Sequence, residues 1–178
     1  MSTPETVHMD FNPMGTRGFE FVEFAGPDVS HLDRVFKGLG FAPVAAHRSK
    51  NVTLYRQGGI NFILNGEGKG FAKEFADQHG PSVCAIAIRV DDAPKAMARA
   101  KELGAKALVN EPGPMEVMLP GIEGIGGSRI FFIDRYEGSS IYDIDFTPIK
   151  GMDQHPAGFG LVELDHLTNN VYRGRMDH

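Results

Sequence analysis

The feature that most limits the folds open to this chain is an internal repeat. Phe19 and Val83, Asp28 and Asp92, and Gly40 and Gly104 are each 64 positions apart. A constant offset of this kind marks a duplicated supersecondary unit. In the first copy, Phe19, Phe21 and, out of strict register, Val22 and Phe24 predict a strand closed by Gly26-Pro27. Asp28 or Ser30 then caps a helix whose apolar residues Val29, Leu32, Val35, Phe36 and Leu39 recur at helical spacing up to Gly40. Strands follow over 42–47, 52–57 and 60–65, the last two joined by the hairpin signal Gly58-Gly59. A loop at 66–70 and a short helix at 71–78 complete it.

The second copy repeats the order. A strand over 82–90 leads to a helix capped by Asp91 or Asp92, with Pro94 in its first turn and Leu103-Gly104 at its end. A short strand is expected near 106–109, and a Pro/Gly-rich loop or ragged hairpin over 111–127, centred on 117–119. Strands over 129–133 and 140–146 close the unit, with a turn at 136–138. The expected organisation is a loose arm (1–16), two modules (17–80 and 81–149) and a linker (150–160). After these, 161–178 reads as the opening strand of a further, catalytic unit that the chain does not contain. In that last stretch Val162, Leu164, His166 and Thr168 alternate, which sets a histidine among inward-pointing apolar side chains. On physical grounds alone, a lone histidine there is more often a hydrogen-bonded core residue than a ligand.

The net charge of −5, with no basic block, argues against nucleic acid as a partner. One cysteine, Cys84, excludes an internal disulfide framework and suits a reducing compartment. The N-terminus lacks the basic and apolar regions of a secretory signal, and no run approaches a membrane span, so a cytoplasmic protein is expected. On that expectation the sequon Asn51-Val52-Thr53 carries no meaning.

The doubled βαβββ unit resembles the vicinal oxygen chelate (glyoxalase-like) superfamily, an α+β fold in which paired modules curl into a half-open mixed β-barrel with helices outside. Three blocks narrow the resemblance: 131–136 (Phe-Phe-Ile-Asp-Arg-Tyr), 141–146 (Ile-Tyr-Asp-Ile-Asp-Phe) and 164–176, from Leu164-Asp165-His166 to Arg175-Met176. They are similar to the 4-hydroxyphenylpyruvate dioxygenase family, from about residue 15 onward, and only to its N-terminal half plus the first catalytic strand. That resemblance implies an Fe(II) oxygenase of tyrosine breakdown, its metal held by two histidines and a glutamate with positions left for substrate and dioxygen. The substrate, 4-hydroxyphenylpyruvate, chelates iron through its 2-oxo acid and leaves as homogentisate and CO2. Of the three ligands the resemblance carries over only His166; the others are expected beyond residue 178, so the chain alone is expected to be inactive and not to retain iron. Family members often have a second histidine where Asn169 stands, a position that is not a ligand. A homo-oligomer is expected.

The same resemblance places the counterparts of His166 near Phe19 and Val83, neither able to hold a cation. The glutamate position falls near Tyr142, a weak ligand, and Asp143 and Asp145 read as turn-proximal or solvent-facing carboxylates of opposite strand parity. The barrel is therefore expected to be filled by side chains and to act as a scaffold. His8, His31, His47, His79, His155 and His178 share no ligand-like spacing, and no Ser-His-Asp or Cys-His arrangement stands out. The glycine runs at 66–70 and 124–127 lack the lysine-Ser/Thr pair of a phosphate-binding loop and read as turns. Cys84 reads as a small core residue, and Arg173 and Arg175 as partners of acidic surface groups rather than of a bound anion. The rival readings are a hydroxymandelate synthase-like enzyme, a stand-alone binding protein of the same superfamily, and a metalloenzyme completed by dimerisation. An open polar lumen would favour the binding protein; a packed one favours the scaffold.

Overall fold

The computed structural model describes residues 12–109 and 117–176. Eight strands form one mixed sheet in the order β6-β7-β5-β1-β4-β3-β2-β8, curled but not closed. The first module supplies β1 (Thr16–Ala25), α1 (Val29–Gly38), β2 (Ala42–His47), β3 (Val52–Gln57) and β4 (Ile60–Asn65), followed by α2 (Phe71–His79). The second supplies β5 (Ser82–Val90), α3 (Ala93–Glu102), β6 (Gly121–Glu123) and β7 (Arg129–Ile133). A short helix α4 (Ile141–Asp145) and a strand β8 (Phe146–Pro148) end the regular structure.

The repeat is visible as symmetry in the sheet. β1 and β5 lie antiparallel, and Val22 faces Ile86, its own counterpart 64 positions on. To either side β4 runs parallel to β1 and β7 parallel to β5, with Val22 against Phe62 and Ile86 against Ile130. The offset has grown to 68 by that last strand, so the second copy carries four extra residues upstream of it. Asp28 and Asp92 cap α1 and α3, accepting from the backbone N–H of Ser30 and His31 and of Lys95. Gly40 and Gly104 follow the helices at φ +91 and +90, a left-handed conformation that leaves them no Cβ penalty.

Helices α1, α2 and α3 cover the convex face. α1 sets Leu32 and Phe36 against Phe24, Tyr55 and Phe62, where Phe36 meets Tyr55 edge-on at 5.3 Å. α3 presents Ala93, Ala96 and Ala100, with the partly buried Met97, to Val90 and Phe132, and α2 packs Ala72 and Ala76 on Ala25 and Cys84. Small side chains on both helices let the backbone lie close to the sheet.

Two expectations are corrected in the second module. The strand expected near 106–109 shrinks to one bridge between Ala107 and Ile122, and the hairpin falls at Gly121–Glu123 with Arg129–Ile133 rather than around 117–119. Residues 140–146 are not a strand but α4 and the start of β8. Ser140 and Asp143 cause this: the Ser140 N–H donates to Asp143 Oδ2 at 2.8 Å, and the Asp143 N–H to the Ser140 carbonyl at 3.2 Å, which nucleates a helical turn. The place of the unit's last strand is also already taken, because β7 fills beside β5 the position β4 has beside β1. The chain thus crosses the open face of the sheet and pairs β8 antiparallel to β2 of the first module. The loose arm expected over 1–16 falls outside the described residues up to 11; from Asn12 the chain turns into β1, the Asn12 amide donating to the Thr16 carbonyl at 2.9 Å.

Candidate functional site

The concave face is layered. Its middle is apolar: Phe21, Leu54, Ile63, Ala87, Phe131 and Ile133 point inward, and α4 and β8 press Ile141, Tyr142 and Phe146 onto them. Alternation places these residues together, since Phe21 shares a face with Glu23, and Ile63 with Asn61 and Asn65.

At one end of this layer the sheet buries an ion pair. Arg89 Nε donates to Glu20 Oε2 at 2.6 Å, with the Glu20 side chain only 2% exposed. Asn61 Nδ2 donates to the Glu20 carbonyl at 2.9 Å, and Arg56 Nε to Asn61 Oδ1 at 2.8 Å. The Arg56 guanidinium also lies over the Tyr142 ring, 5.0 Å from its centroid. Burial, and secondarily the charge of Glu20, hold the Tyr142 hydroxyl well above its ordinary range, so it stays a neutral phenol and a poor ligand. A carboxylate this deep is tolerated because its oxygens are paired, and the network joins both modules.

The segment after β8 is strapped to the β3–β4 hairpin. Gln57, fully buried, donates from Nε2 to the Leu39 carbonyl at 2.9 Å. Its Oε1 accepts from the Phe159 N–H at 2.6 Å and the Leu161 N–H at 3.4 Å. The Gly58 N–H donates to the Pro156 carbonyl and the Gly59 N–H to the Val162 carbonyl, both at 2.9 Å. This approach needs the glycines: a Cβ on Gly59 would lie 2.7 Å from the Val162 oxygen, and one on Gly158 would strike the Gln57 side chain.

Beyond the strap, 161–170 has no regular secondary structure, and His166 is exposed. Its Nδ1 lies 2.6 Å from Asp165 Oδ2. Among the described residues no three His, Cys, Asp or Glu side chains converge on a point that would hold a metal ion. Phe19 and Val83 bring no donor. Asp143 is spent on the α4 cap, and Asp145 accepts from the Val117 N–H at 3.2 Å. His47 stands edge-on to Phe146, His79 lies against Phe75, and His31 and His155 are on other surfaces; His8 and His178 lie outside the described residues. Burial pushes the Cys84 thiol far up, and it serves as a core side chain. The sequence reading missed Glu20 and Glu23 as inward-facing charges. For Glu23 the signal was present, two positions after Phe21 on one face; for Glu20 the register irregularities of β1 between Thr16 and Phe21 concealed it.

The family model described as hydroxyphenylpyruvate dioxygenase, HPPD, N-terminal, matches residues 11–147. The chain belongs to this family. Its N-terminal-domain relatives include a 4-hydroxyphenylpyruvate dioxygenase of Pseudomonas sp. (strain P.J. 874), 58% identical over 93% of this chain and 46% of that protein. The 4-hydroxyphenylpyruvate dioxygenase of Pseudomonas aeruginosa is 48% identical over 93% of this chain and 47% of its own length. The chain therefore spans about half the length of these dioxygenases. Among solved structures, a xylose isomerase-like TIM barrel/4-hydroxyphenylpyruvate dioxygenase fusion protein matches with TM-score 0.69 and 36% identity, over 79% of this chain and 23% of that one. The family's glyoxalase-like architecture accords with the open mixed sheet and external helices described above.

Proposed function

We propose that this chain is the non-catalytic half of an Fe(II) dioxygenase that converts 4-hydroxyphenylpyruvate and O2 to homogentisate and CO2. The observation that carries the reading is 58% identity to a dioxygenase of that name over nearly the whole chain. The apolar middle of the concave face, where Ile141, Tyr142 and Phe146 pack onto the sheet, supports a bracing role. Contacts between copies of a cytoplasmic homo-oligomer belong to the same proposal. Among the described residues, no helix is long and apolar enough to cross a membrane.

Iron, when bound by the whole protein, would supply dioxygen activation. What this chain contributes is His166, proposed as one ligand, with the other histidine and the glutamate supplied from outside these residues. Asp165 prepares it: a carboxylate at 2.6 Å from Nδ1 favours the tautomer with its proton there and leaves the Nε2 lone pair for a metal. Gln57, Gly58 and Gly59 hold the chain just ahead of it.

The test is oxygen uptake and product analysis with 4-hydroxyphenylpyruvate, using a whole protein that contains this chain. Homogentisate is expected; hydroxymandelate would instead assign the sister synthase activity, and no turnover would contradict both. A second reading is favoured by the fusion protein, whose name pairs such a dioxygenase with a TIM barrel of different architecture. On that reading the module braces a catalytic domain of another kind, and the whole protein would leave 4-hydroxyphenylpyruvate unchanged.

A further inference from the structure

At the end of the sheet opposite the strap, the concave face opens into a cavity of about 590 Å3. An adjoining pocket of about 180 Å3 shares Glu23, Asn65, Leu119 and Phe131 with it. The length of β4 separates the two ends, Ile60 following the strapped hairpin and Asn65 lining the cavity.

The cavity has a polar floor and an apolar wall. Glu23 Oε1 accepts from Asn65 Nδ2 at 2.7 Å. Burial raises the Glu23 carboxyl above its ordinary value against the opposing pull of Asn65, Arg129 and Lys50. Arg129, half-buried on β7, stacks its guanidinium 3.7 Å from the centroid of the Phe71 ring. None of the described carboxylates forms an ion pair with Arg129, so the edge of its planar fork is not engaged by them. Val117, Met118, Leu119 and Phe131 supply apolar surface beside it. Among the described residues Lys69 and Arg129 also line the rim with Glu23 and Glu67, and Glu67 Oε1 already accepts from the Asn51 N–H. A stacked, half-desolvated guanidinium is the group best shaped to hold a carboxylate by two parallel hydrogen bonds. The size is that of an ordinary small-molecule site.

We propose that this cavity binds a small organic monocarboxylate with an aromatic or apolar body, its carboxylate in the fork of Arg129 and its body against Leu119, Met118 and Phe131. The proposal does not depend on iron.

The experiment is calorimetric titration of the 178-residue chain with 3-phenylpropionate, paired with backbone NMR shifts. One-to-one binding is expected, with shifts concentrated at Asn65, Leu119, Arg129 and Phe131. Arg129→Lys, which keeps the charge but loses the fork, should weaken binding about tenfold, and 3-phenylpropan-1-ol should bind at least about tenfold more weakly than the acid. No saturable binding to a chain whose circular dichroism is native would overturn the proposal. So would equal affinity for acid and alcohol, unaltered affinity in a folded Arg129→Lys chain, or shifts confined to another surface. None of these outcomes bears on turnover of 4-hydroxyphenylpyruvate, so the dioxygenase reading stands or falls separately.

Discussion

The Phe159 N–H donates to the Gln57 side-chain oxygen across 2.6 Å, although the two residues are 102 positions apart. That bond fixes the segment leading to His166 on the β3–β4 hairpin. It does so at a side chain with no exposure to water. Gly59→Ala tests it cleanly, because Gly59 is outside the left-handed region and its added Cβ would meet only the Val162 carbonyl. Amide exchange at positions 59 and 161 should speed up about tenfold, and global stability should fall by about 0.5–1.5 kcal/mol, the worth of one hydrogen bond. Unaltered exchange would mean the strap is not held by these bonds.

Removing one partner of the Glu20–Arg89 pair should cost far more than a surface ion pair. Arg89→Met strands a carboxylate 2% exposed and is expected to lower unfolding free energy by about 3–5 kcal/mol in urea titrations. Adding Glu20→Gln to that variant should recover part of the loss, which a purely local packing defect would not.

Glu23 gives stability a pH dependence with a definite sign. Its carboxyl is raised above the ordinary 4.5 in the folded chain, chiefly by burial, so the folded state holds the proton to higher pH than the unfolded state. Its contribution therefore declines as pH rises from about the unfolded value through the folded one, and is flat below. Glu23→Gln, whose amide oxygen can still accept from Asn65, should remove that decline. The variant should gain on the parent above the transition and not below it, as read from urea midpoints across pH.

The plug formed by α4 separates packing from capping. Tyr142→Ala empties a fully buried ring position and should cost about 3–5 kcal/mol. Ser140→Ala affects only the start of the helix and should cost about 0.5–2 kcal/mol. Equal costs would mean that the ring does not fill the concave face.

Where local and tertiary signals agreed, the sequence was read correctly. The capping aspartates, the two glycines past the helices and the Gly58-Gly59 hairpin appear at the expected positions, and the 64-residue offset is the axis through Val22 and Ile86. Residues 140–146 were misread because alternating Tyr142, Ile144 and Phe146 look like a strand, whereas the Ser140–Asp143 bonds are a two-residue effect that periodicity does not register. The buried charges were harder to see, since Glu20 finds Arg89 through a sheet pairing 69 positions long. The proposal of His166 as a ligand rests on a resemblance; its exposed position beside Asp165 has no signature in hydrophobic spacing.

The central claim is that this chain braces an iron enzyme and lends it a single ligand. The most direct measurement is anaerobic Fe(II) titration of the 178-residue chain, followed by oxygen uptake with 4-hydroxyphenylpyruvate. The account predicts no stoichiometric iron binding below millimolar concentrations and no uptake, because one imidazole competes poorly with water. Tight one-to-one binding with turnover would contradict it.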